Sequence, residues 1–243
     1  MNYQEEVFRL SDRMRLISLD KSSICVQAKY GPSRVVKLPL SINEDISCLT
    51  ALIIGDGHLL RSKFRTSIES SNKELLVSVS NIIKSSFHIK PLIKNVKKRE
   101  GKKQTYHLTI YSKAVQELLS RIFSIPLGKK SHCVRVPIQI LNSNKAIKSA
   151  FIIGLLAAEG SKKDKKRVRI CSASKKLLLD SQDLLKKLEV NSSIESWINK
   201  KYKKEYYSLS FKRDHLDSLM RGCRSGQTGQ ILSIFRKVIG DHA

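Results

Sequence analysis

The sequence predicts an α+β fold built from two tandem repeats. Two observations support this prediction. A nine-residue apolar pattern occupies positions 49–57 and returns at 152–160. From each copy onward, the hydrophobic period alternates between 3.6 and 2 residues, which indicates the order helix, hairpin, helix, hairpin, helix twice. We therefore divide the chain into an extension at 1–43, a first repeat at 44–128 and a second repeat at 129–243.

Each copy of the repeated pattern predicts a helix that ends in one carboxylate followed by glycine. The carboxylates are Asp56 and Glu159. Small residues recur at every fourth position, so they share one helix face and allow two backbones to approach closely. These residues are Ser47, Ala51 and Gly55 in the first copy and Ala150, Gly154 and Ala158 in the second. If the helices pack side by side in one direction, the two acids meet at their C-terminal ends, where free carbonyl groups add negative charge and a cation is required.

The polar residues between apolar segments predict where the other elements begin. Asn43 is a good N-cap for the first motif helix, and Asn142, Ser143 or Asn144 for the second. After the first motif we expect a strand or hairpin within 58–69, a helix at Lys73–Phe87, a hairpin formed by 92–96 and 106–111, and a helix at 113–123. After the second we expect a strand around 167–170, a helix at 175–188, a hairpin formed by 194–199 and 206–211, and a helix at 214–221. Residues 124–135 contain proline and glycine and are interpreted as the linker.

The two ends of the chain have no counterpart in the repeat. Residues 4–15 predict a short basic helix, and residues 24–36 predict a hairpin turned at 30–33. We interpret this extension as a cover for a sheet edge or as a source of additional contacts with the partner that the charge balance described next indicates; a helix-turn-helix is disfavoured, because two consecutive amphipathic helices are missing. At the other end, 223–229 predicts a loop and 230–238 a terminal helix without an assigned role.

The composition indicates a polyanionic partner. The chain has 46 Lys and Arg against 21 Asp and Glu, which gives a net charge of +25. No apolar segment approaches the roughly 20 residues that cross a bilayer, and the first residues do not resemble a signal peptide, so we expect an intracellular protein, cytoplasmic or organellar. The 5 cysteines are scattered without a CxxC pair, and the 6 histidines lack metal-binding spacing, so a catalytic metal would be held by oxygen.

The two motifs resemble the paired signature of the LAGLIDADG homing endonucleases, in the single-chain form with two copies. The resemblance covers residues 38–221 and includes the position of the acid in each copy. It implies two pseudo-symmetric αββαββα units whose saddle-shaped antiparallel sheets form a groove for double-stranded DNA. It also implies a monomer, encoded by a mobile intron, that cleaves both strands with divalent metal and leaves short 3′ overhangs.

For catalysis, the resemblance implies that Asp56 and Glu159, together with the carbonyl groups of Gly55 and Ala158, hold Mg²⁺ or Mn²⁺, with Ca²⁺ as a non-cleaving substitute. Magnesium suits such a site, because it is usually bound by one or two carboxylates with waters and phosphate oxygens. The competing interpretation treats the acids as ordinary helix ends capped by the following glycines. Two further groups are candidates: Lys162 and Lys212 as catalytic lysines, and Ser70 and Ser172 as water-positioning residues. Either lysine could instead contact phosphate or solvent.

The polar faces of the predicted strands are candidates for DNA contacts, because a two-stranded ribbon fits the major groove and basic turns suit phosphates. The preferred residues are Arg61, Lys63, Arg65, Arg167 and Arg169, followed by Ser67, Glu69, Lys94, Lys97, His107, Thr109, Lys165, Trp197, Asn199, Lys201 and Ser210. Solubility alone is the competing explanation for the lysine-rich turns.

The leading interpretation is a site-specific double-strand DNA endonuclease with a long asymmetric recognition site. The main rival is a non-catalytic protein on the same scaffold: an RNA maturase that binds its own intron RNA, or a DNA-binding regulator. An intein is disfavoured, because inteins begin with Cys or Ser and end in His-Asn, whereas this sequence begins with Met1 and ends with Ala243. Acids at both helix ends favour the nuclease over a purely binding role.

Overall fold

The computed structural model describes residues 2–30, 34–96, 104–199 and 203–240. Within these residues the chain forms two four-stranded antiparallel sheets, one in each half, and a three-stranded sheet near the N-terminus. Helices cover one face of each four-stranded sheet, and the two halves repeat the same order of elements. The predicted α+β fold with two tandem repeats is therefore confirmed.

The first half contains helix, hairpin, helix, hairpin and helix, as expected. Its elements are α2 (Glu44–Gly55), β4 (Gly57–Leu60), β5 (Arg65–Ser70), α3 (Lys73–Phe87), β6 (Leu92–Asn95), β7 (Tyr106–Tyr111) and α4 (Lys113–Glu117), which continues through a wider π-helical turn at Leu118–Ile122. The sheet order is β4-β5-β7-β6. Asn43 and Asn72 cap α2 and α3 through side-chain oxygens that accept backbone N–H groups, so the caps determine both starts.

The second half repeats this arrangement. Its elements are α5 (Ile138–Leu141), α6 (Lys145–Glu159), β8 (Gly160–Lys162), β9 (Arg167–Ser172), α7 (Lys175–Lys187), β10 (Ser192–Asn199), β11 (Lys204–Lys212) and α8 (His215–Gly222). The sheet order is β10-β11-β9-β8, the counterpart of the first sheet. Of the three candidate caps for α6, Asn144 is the one that accepts a hydrogen bond, from the N–H of Ile147.

The N-terminal extension differs from its prediction. The helix α1 is shorter (Tyr3–Ser11), and an additional strand β1 (Arg15–Leu19) pairs with the hairpin β2 (Ser23–Gln27) and β3 (Val35–Pro39). Every residue of β1 is exposed, so an apolar and polar alternation could not indicate it. The strand β3 packs on α3 and α4, and the extension adds no strand to either four-stranded sheet in the described residues.

The C-terminal helix α9 begins earlier than predicted, at Gly226, and ends at Val238. The predicted loop at 223–229 therefore ends at Ser225, whose side chain caps the helix by accepting the N–H of Thr228. The hydroxyl of Thr228 donates to the carboxylate of Asp45 at 2.9 Å, which ties the start of α9 to the start of α2. Further along, α9 packs on α6, so it contacts both motif helices.

All five cysteines are free thiols. None of the helices in the described ranges combines the length and the hydropathy that a membrane span requires.

Candidate functional site

The two motif helices α2 and α6 pack directly against each other through their small residues. A Cβ added to Gly55 would lie 2.5 Å from the Cβ of Ala158, and one added to Gly154 would lie 2.4 Å from the carbonyl oxygen of Cys48. Any larger side chain at either glycine would force the backbones apart. The hydroxyl of Ser47 also donates across the contact to the carbonyl of Ile147 at 2.8 Å. The expected close packing of the two helices is therefore present.

Asp56 and Glu159 stand side by side where these helices end. Asp56 is the C-cap of α2, Glu159 is the last residue of α6, and a Cβ on Gly55 would lie 3.0 Å from the Cγ of Glu159. After each acid the chain turns directly into a strand: β4 follows Asp56, and β8 follows Glu159. The spacing of small residues therefore brings two carboxylates to one point.

The glycines that follow the acids are needed for space. A Cβ on Gly57 would lie 2.5 Å from the Cα of Ile53, and one on Gly160 would lie 2.1 Å from the carbonyl oxygen of Leu156. Gly160 has φ −81° and ψ 148°, which is extended backbone. Neither glycine is among the residues with positive φ, so neither forms a left-handed helix cap.

The surroundings of the two acids disfavour negative charge. Asp56 is open to solvent on one side and lines a cavity of about 370 Å³ together with Glu69, Ser70 and Ala158. Loss of hydration, and then the nearby charge of Glu159, raise the pKa of Asp56 to about 7. Burial also raises the pKa of Glu159. The site is therefore a place where a bound cation would lower the electrostatic free energy.

Lys130, in the linker between the halves, supplies a cation to this site. Its side chain is buried, and its ammonium group donates to the carbonyl oxygens of Ile54 and, at 2.9 Å, of Gly55. Burial lowers the pKa of Lys130, whereas the charges of Glu159 and Asp56 act in the opposite direction. Sequence reasoning missed this residue, because one lysine of a basic linker carries no signal of a contact with a helix 75 positions away.

The donor set fits a small divalent cation held by oxygen. Two carboxylates meet at two helix ends, and the Gly55 carbonyl is oriented so that a cationic group can reach it, as Lys130 does. The described residues contain no cluster of three or more His, Cys, Asp or Glu side chains, so a zinc-type centre is absent from that part of the chain. Magnesium, which retains several waters and needs few protein ligands, suits this set.

In the first sheet, the strand register places most of the predicted contact residues on the face opposite α3, which we call the open face. Arg65 pairs with Tyr111, Ser67 with Thr109, and His107 with both Glu69 and Lys94, so these side chains share one face. Their neighbours Leu59, Ile68 and Leu108 are buried on the other face. The Nε2 of His107 lies 2.9 Å from a carboxylate oxygen of Glu69.

In the second sheet, the open face lies opposite α7. It carries Arg169, Ser210 and Ser193, which are aligned across three strands, and Arg167 with Lys212 further along. Arg169 donates to the hydroxyl of Ser161 at 3.1 Å. Lys212 lies opposite Arg167, two strands away from β8, so the register does not bring it to the acids.

The register separates Lys162 from this open face. Lys162 pairs with Val168, whose side chain is buried on the α7 side, whereas Ser161 pairs with Arg169 on the open face. The next residue, Lys163, contacts the carboxylate of Glu195 and the hydroxyl of Ser210, both open-face residues. On this open face the neighbouring residue is therefore Lys163 and not Lys162, whose catalytic role stays a prediction.

The remaining predicted residues lie in turns, at strand ends or outside the described ranges. Arg61 and Lys63 belong to the turn between β4 and β5, and Lys165 to the turn between β8 and β9; all three are exposed. Asn199 is the last residue of β10. Lys97 and Lys201 lie outside the described residues. Basic turns beside an open sheet face suit phosphate contacts.

Ser70 and Ser172 occupy equivalent places in the two halves. Each hydroxyl accepts a hydrogen bond from the N–H two residues further on, Asn72 at 3.1 Å and Ser174 at 3.0 Å. Ser70 also lines the cavity beside Asp56. Each serine therefore helps turn its strand into the following helix.

The family model that describes a LAGLIDADG-like domain matches residues 43–122 and 146–222. Two curated relatives are an archaeal protein named probable translation initiation factor IF-2, from Methanocaldococcus jannaschii, and an A-type ATP synthase subunit from Pyrococcus abyssi. The first is 28% identical over 218 residues, which is 85% of this chain and 18% of the relative. The second is 29% identical over 180 residues, which is 73% of this chain and 16% of the relative. The chain thus spans less than a fifth of either protein.

Several solved structures share the fold. One of I-DmoI in complex with DNA and Ca has a TM-score of 0.54 and 22% identity, and the alignment covers 79% of this chain and 97% of that one. The homing endonuclease I-WcaI bound to its DNA recognition sequence has a TM-score of 0.54, 18% identity and coverages of 78% and 85%. The N-terminal LAGLIDADG domain of DUF199/WhiA has a TM-score of 0.51, 17% identity and coverages of 75% and 83%.

Proposed function

Since the chain belongs to the LAGLIDADG-like domain family, we propose that it is a site-specific endonuclease that cleaves double-stranded DNA with a divalent metal. One observation carries the proposal: Asp56 and Glu159, one from each repeat, meet at the ends of two tightly packed helices. A protein that only binds DNA needs no adjacent pair of carboxylates. An enzyme that cuts both strands needs carboxylates that hold metal, and here each half supplies one of them.

The chain's own residues would hold and tune the metal. Asp56 and Glu159 are the proposed carboxylate ligands, and Gly55 and Ala158 the proposed carbonyl ligands, with Mg²⁺ or Mn²⁺ as cofactor and Ca²⁺ as a non-cleaving substitute. When bound, such a metal activates water and stabilises charge on phosphoryl oxygens. The positive charge of Lys130 would offset part of the negative charge of the two acids. The same charge would lie beside the scissile phosphate.

DNA binding is proposed for the two open faces. The net charge of +25 favours a polyanion, and the basic turns with Arg61, Lys63 and Lys165 would contact phosphates. Open-face residues such as Arg65 and Arg169 can present guanidinium groups to guanine edges in the major groove. Because the faces differ between the halves, the recognised sequence would be asymmetric. One chain carries both halves, so a monomer suffices.

The curated relatives support a mobile origin. A translation factor and an ATP synthase component have unrelated activities, yet each shares a segment that is less than a fifth of its length with this chain. A segment common to unrelated protein chains is expected of a mobile genetic element that is inserted in their reading frames. The intron-encoded origin of this chain is proposed from the resemblance of its two motifs alone. A maturase that binds its intron RNA is the second candidate function, favoured by the same basic faces.

A cleavage selection tests the proposal. The protein is incubated with Mg²⁺ and a library of plasmids that carry random inserts, and linearised plasmids are sequenced. We expect one family of related sites with short 3′ overhangs. The variants Asp56→Asn and Glu159→Gln should bind those sites without cutting both strands, whereas Glu5→Gln, at an exposed acid of α1, should cut normally. RNA binding by the protein without cleavage of any plasmid would favour the maturase.

A further inference from the structure

The open face of the second sheet carries a pair of aromatic side chains. Trp197 on β10 and Tyr206 on β11 are directly opposite each other, and the same ladder aligns Glu195 with Ser208 and Ser193 with Ser210. Side chains two positions apart on a strand share a face, so Trp197 and Tyr206 lie on the face that carries Arg169. The two rings therefore belong to the proposed DNA surface rather than to the core.

The two rings form one stacked aromatic pair. Their centroids are 6.0 Å apart and their planes differ by 27°, which is a stacked arrangement. The Trp197 residue is 41% exposed, although the α7 side of the same sheet is packed with buried residues such as Leu209. An exposed indole stacked on a phenol holds both rings in a fixed orientation with little rotamer freedom left to lose on binding.

The equivalent place in the first sheet carries no such pair. Gly57 pairs with Ile68 and Gly160 with Ile170, which aligns the two sheets. Counting from these pairs, Val96 and Thr105 occupy the positions of Trp197 and Tyr206, and the N–H of Val96 donates to the carbonyl of Thr105 at 3.0 Å. The aromatic surface is thus a property of the second half alone, so it would act on one half of the target.

The chemistry of the DNA major groove limits what this surface can bind. A two-stranded ribbon in that groove meets base edges, and the one apolar group on those edges is the C5-methyl of thymine. The basic and hydroxyl side chains nearby can bind the polar edges and phosphates, but two stacked rings match methyl groups. A wedge between base steps is the alternative, and it is typical of minor-groove proteins.

We propose that Trp197 and Tyr206 form a thymine-methyl contact surface that reads one or two thymines on the second-half side of the target. The proposal rests on the proposed DNA binding but not on cleavage. Gly160 follows Glu159 and pairs with Ile170, which pairs with Leu209, which in turn pairs with Ile194, so these residues form one row across the second sheet. Trp197 is three positions further and three strands across, roughly 17 Å from Gly160, which corresponds to about five base pairs.

Binding selection in Ca²⁺ provides the first test. A random duplex library is selected with the wild type and, separately, with the double variant Trp197→Ala/Tyr206→Ala. We expect the wild-type pool to be enriched in thymine about five base pairs from the cut on one side, and the variant pool to lose this enrichment while it keeps the remaining positions. A wild-type pool without thymine there would overturn the proposal.

Replacement of thymine by uracil in the selected duplex removes the methyl groups and leaves every hydrogen-bonding group in place. Wild-type affinity should fall about fourfold for each methyl group that is buried, and the double variant should bind both duplexes equally. Ile198→Ala is the matched control, because Ile198 is a neighbouring residue that is 70% exposed and follows Trp197 onto the other face, so it should keep the full uracil effect. Equal wild-type affinity for both duplexes would contradict the contact.

The protein has 1 tryptophan, so its emission reports on this surface alone. Saturation with the selected duplex in Ca²⁺ should change the emission and protect the indole from acrylamide. No change at saturation, measured by anisotropy of labelled DNA, would refute the contact. If instead Trp197→Ala weakens RNA binding and leaves thymine discrimination intact, the surface serves RNA and the proposal fails. A failure of nuclease function would appear separately, as duplex binding in Ca²⁺ without cleavage in Mg²⁺.

Discussion

The ammonium group of Lys130 donates to the carbonyl oxygen of Gly55 at 2.9 Å, directly before Asp56. A residue from the linker thus places a positive charge at the end of the first motif helix, where two acids and the free carbonyls concentrate negative charge. No comparable contact of a lysine with the Ala158 carbonyl is present in the described hydrogen bonds of the second half. The two helix ends are therefore chemically different, although the repeats are alike.

Lys130→Met should slow cleavage. The substitution keeps the buried aliphatic chain and removes the charge, so we expect a decrease of about 100-fold in the single-turnover rate, in line with the loss of one preorganised electrostatic group. The neighbouring exposed lysine gives the control Lys129→Met, which should cut at the wild-type rate. An unchanged rate for Lys130→Met would show that the charge is only structural.

Metal affinity should depend on pH around the pKa of Asp56. Because this pKa is raised to about 7, a proton competes with the cation below that pH. Calorimetric titration with Ca²⁺ should show affinity falling by up to about tenfold per pH unit from pH 7 to pH 5 and levelling off above pH 8. Asp56→Asn should bind weakly and lose the part of this dependence that Asp56 contributes, while Glu159, whose pKa is also raised, keeps its own part. A flat profile for the wild type would indicate that Asp56 is ionised throughout.

Asp56→Asn should stabilise the metal-free protein at high pH. A carboxyl group whose folded pKa is raised contributes stability below its unfolded pKa, near 4, and loses it as pH rises through about 7. At pH 8 the wild type carries this unfavourable charge, so the variant should be more stable by about 1–2 kcal/mol after allowance for solvent screening. Urea unfolding at pH 8 and pH 4 measures the difference, which should vanish at pH 4. A variant that is less stable at pH 8 would contradict this electrostatic description.

The contact of the motif helices predicts opposite effects of two glycine substitutions. Gly154→Ala introduces a Cβ 2.4 Å from the carbonyl oxygen of Cys48 and should destabilise the protein by about 2–3 kcal/mol. Gly229→Ala, inside α9, places its Cβ 3.8 Å from the nearest atom of Met220 and should be neutral or stabilising by up to about 1 kcal/mol. Urea unfolding distinguishes them. Equal effects of the two substitutions would show that α2 and α6 pack less closely than described.

The motif helices and their surroundings were predictable because their signals are local. Repeated small residues, N-caps such as Asn43, and alternating strands each depend on neighbours within a few positions. The sequence also placed Asp56 and Glu159 together, since four-residue spacing defines a face. Their metal and catalytic roles remain predictions, as do those of Lys162 and Lys212.

Long-range geometry accounts for what the sequence did not indicate. The contact of Lys130 with α2 depends on the path of the linker. Which of Lys162 and Lys163 lies on the open face depends on how the chain turns from α6 into β8. The strand β1 was missed because both of its faces are exposed. The start of α9 differs from the predicted loop because contacts with α6 and Asp45, both distant in sequence, stabilise the helix across a segment that contains two glycines.

The most direct measurement of the central claim is strand-resolved cleavage of a supercoiled plasmid that carries the selected site, with Mg²⁺ present. The account predicts linear product from the wild type, and from Asp56→Asn and Glu159→Gln intact or singly nicked plasmid at undiminished affinity for the site in Ca²⁺. Linear product from either variant at the wild-type rate would contradict the account.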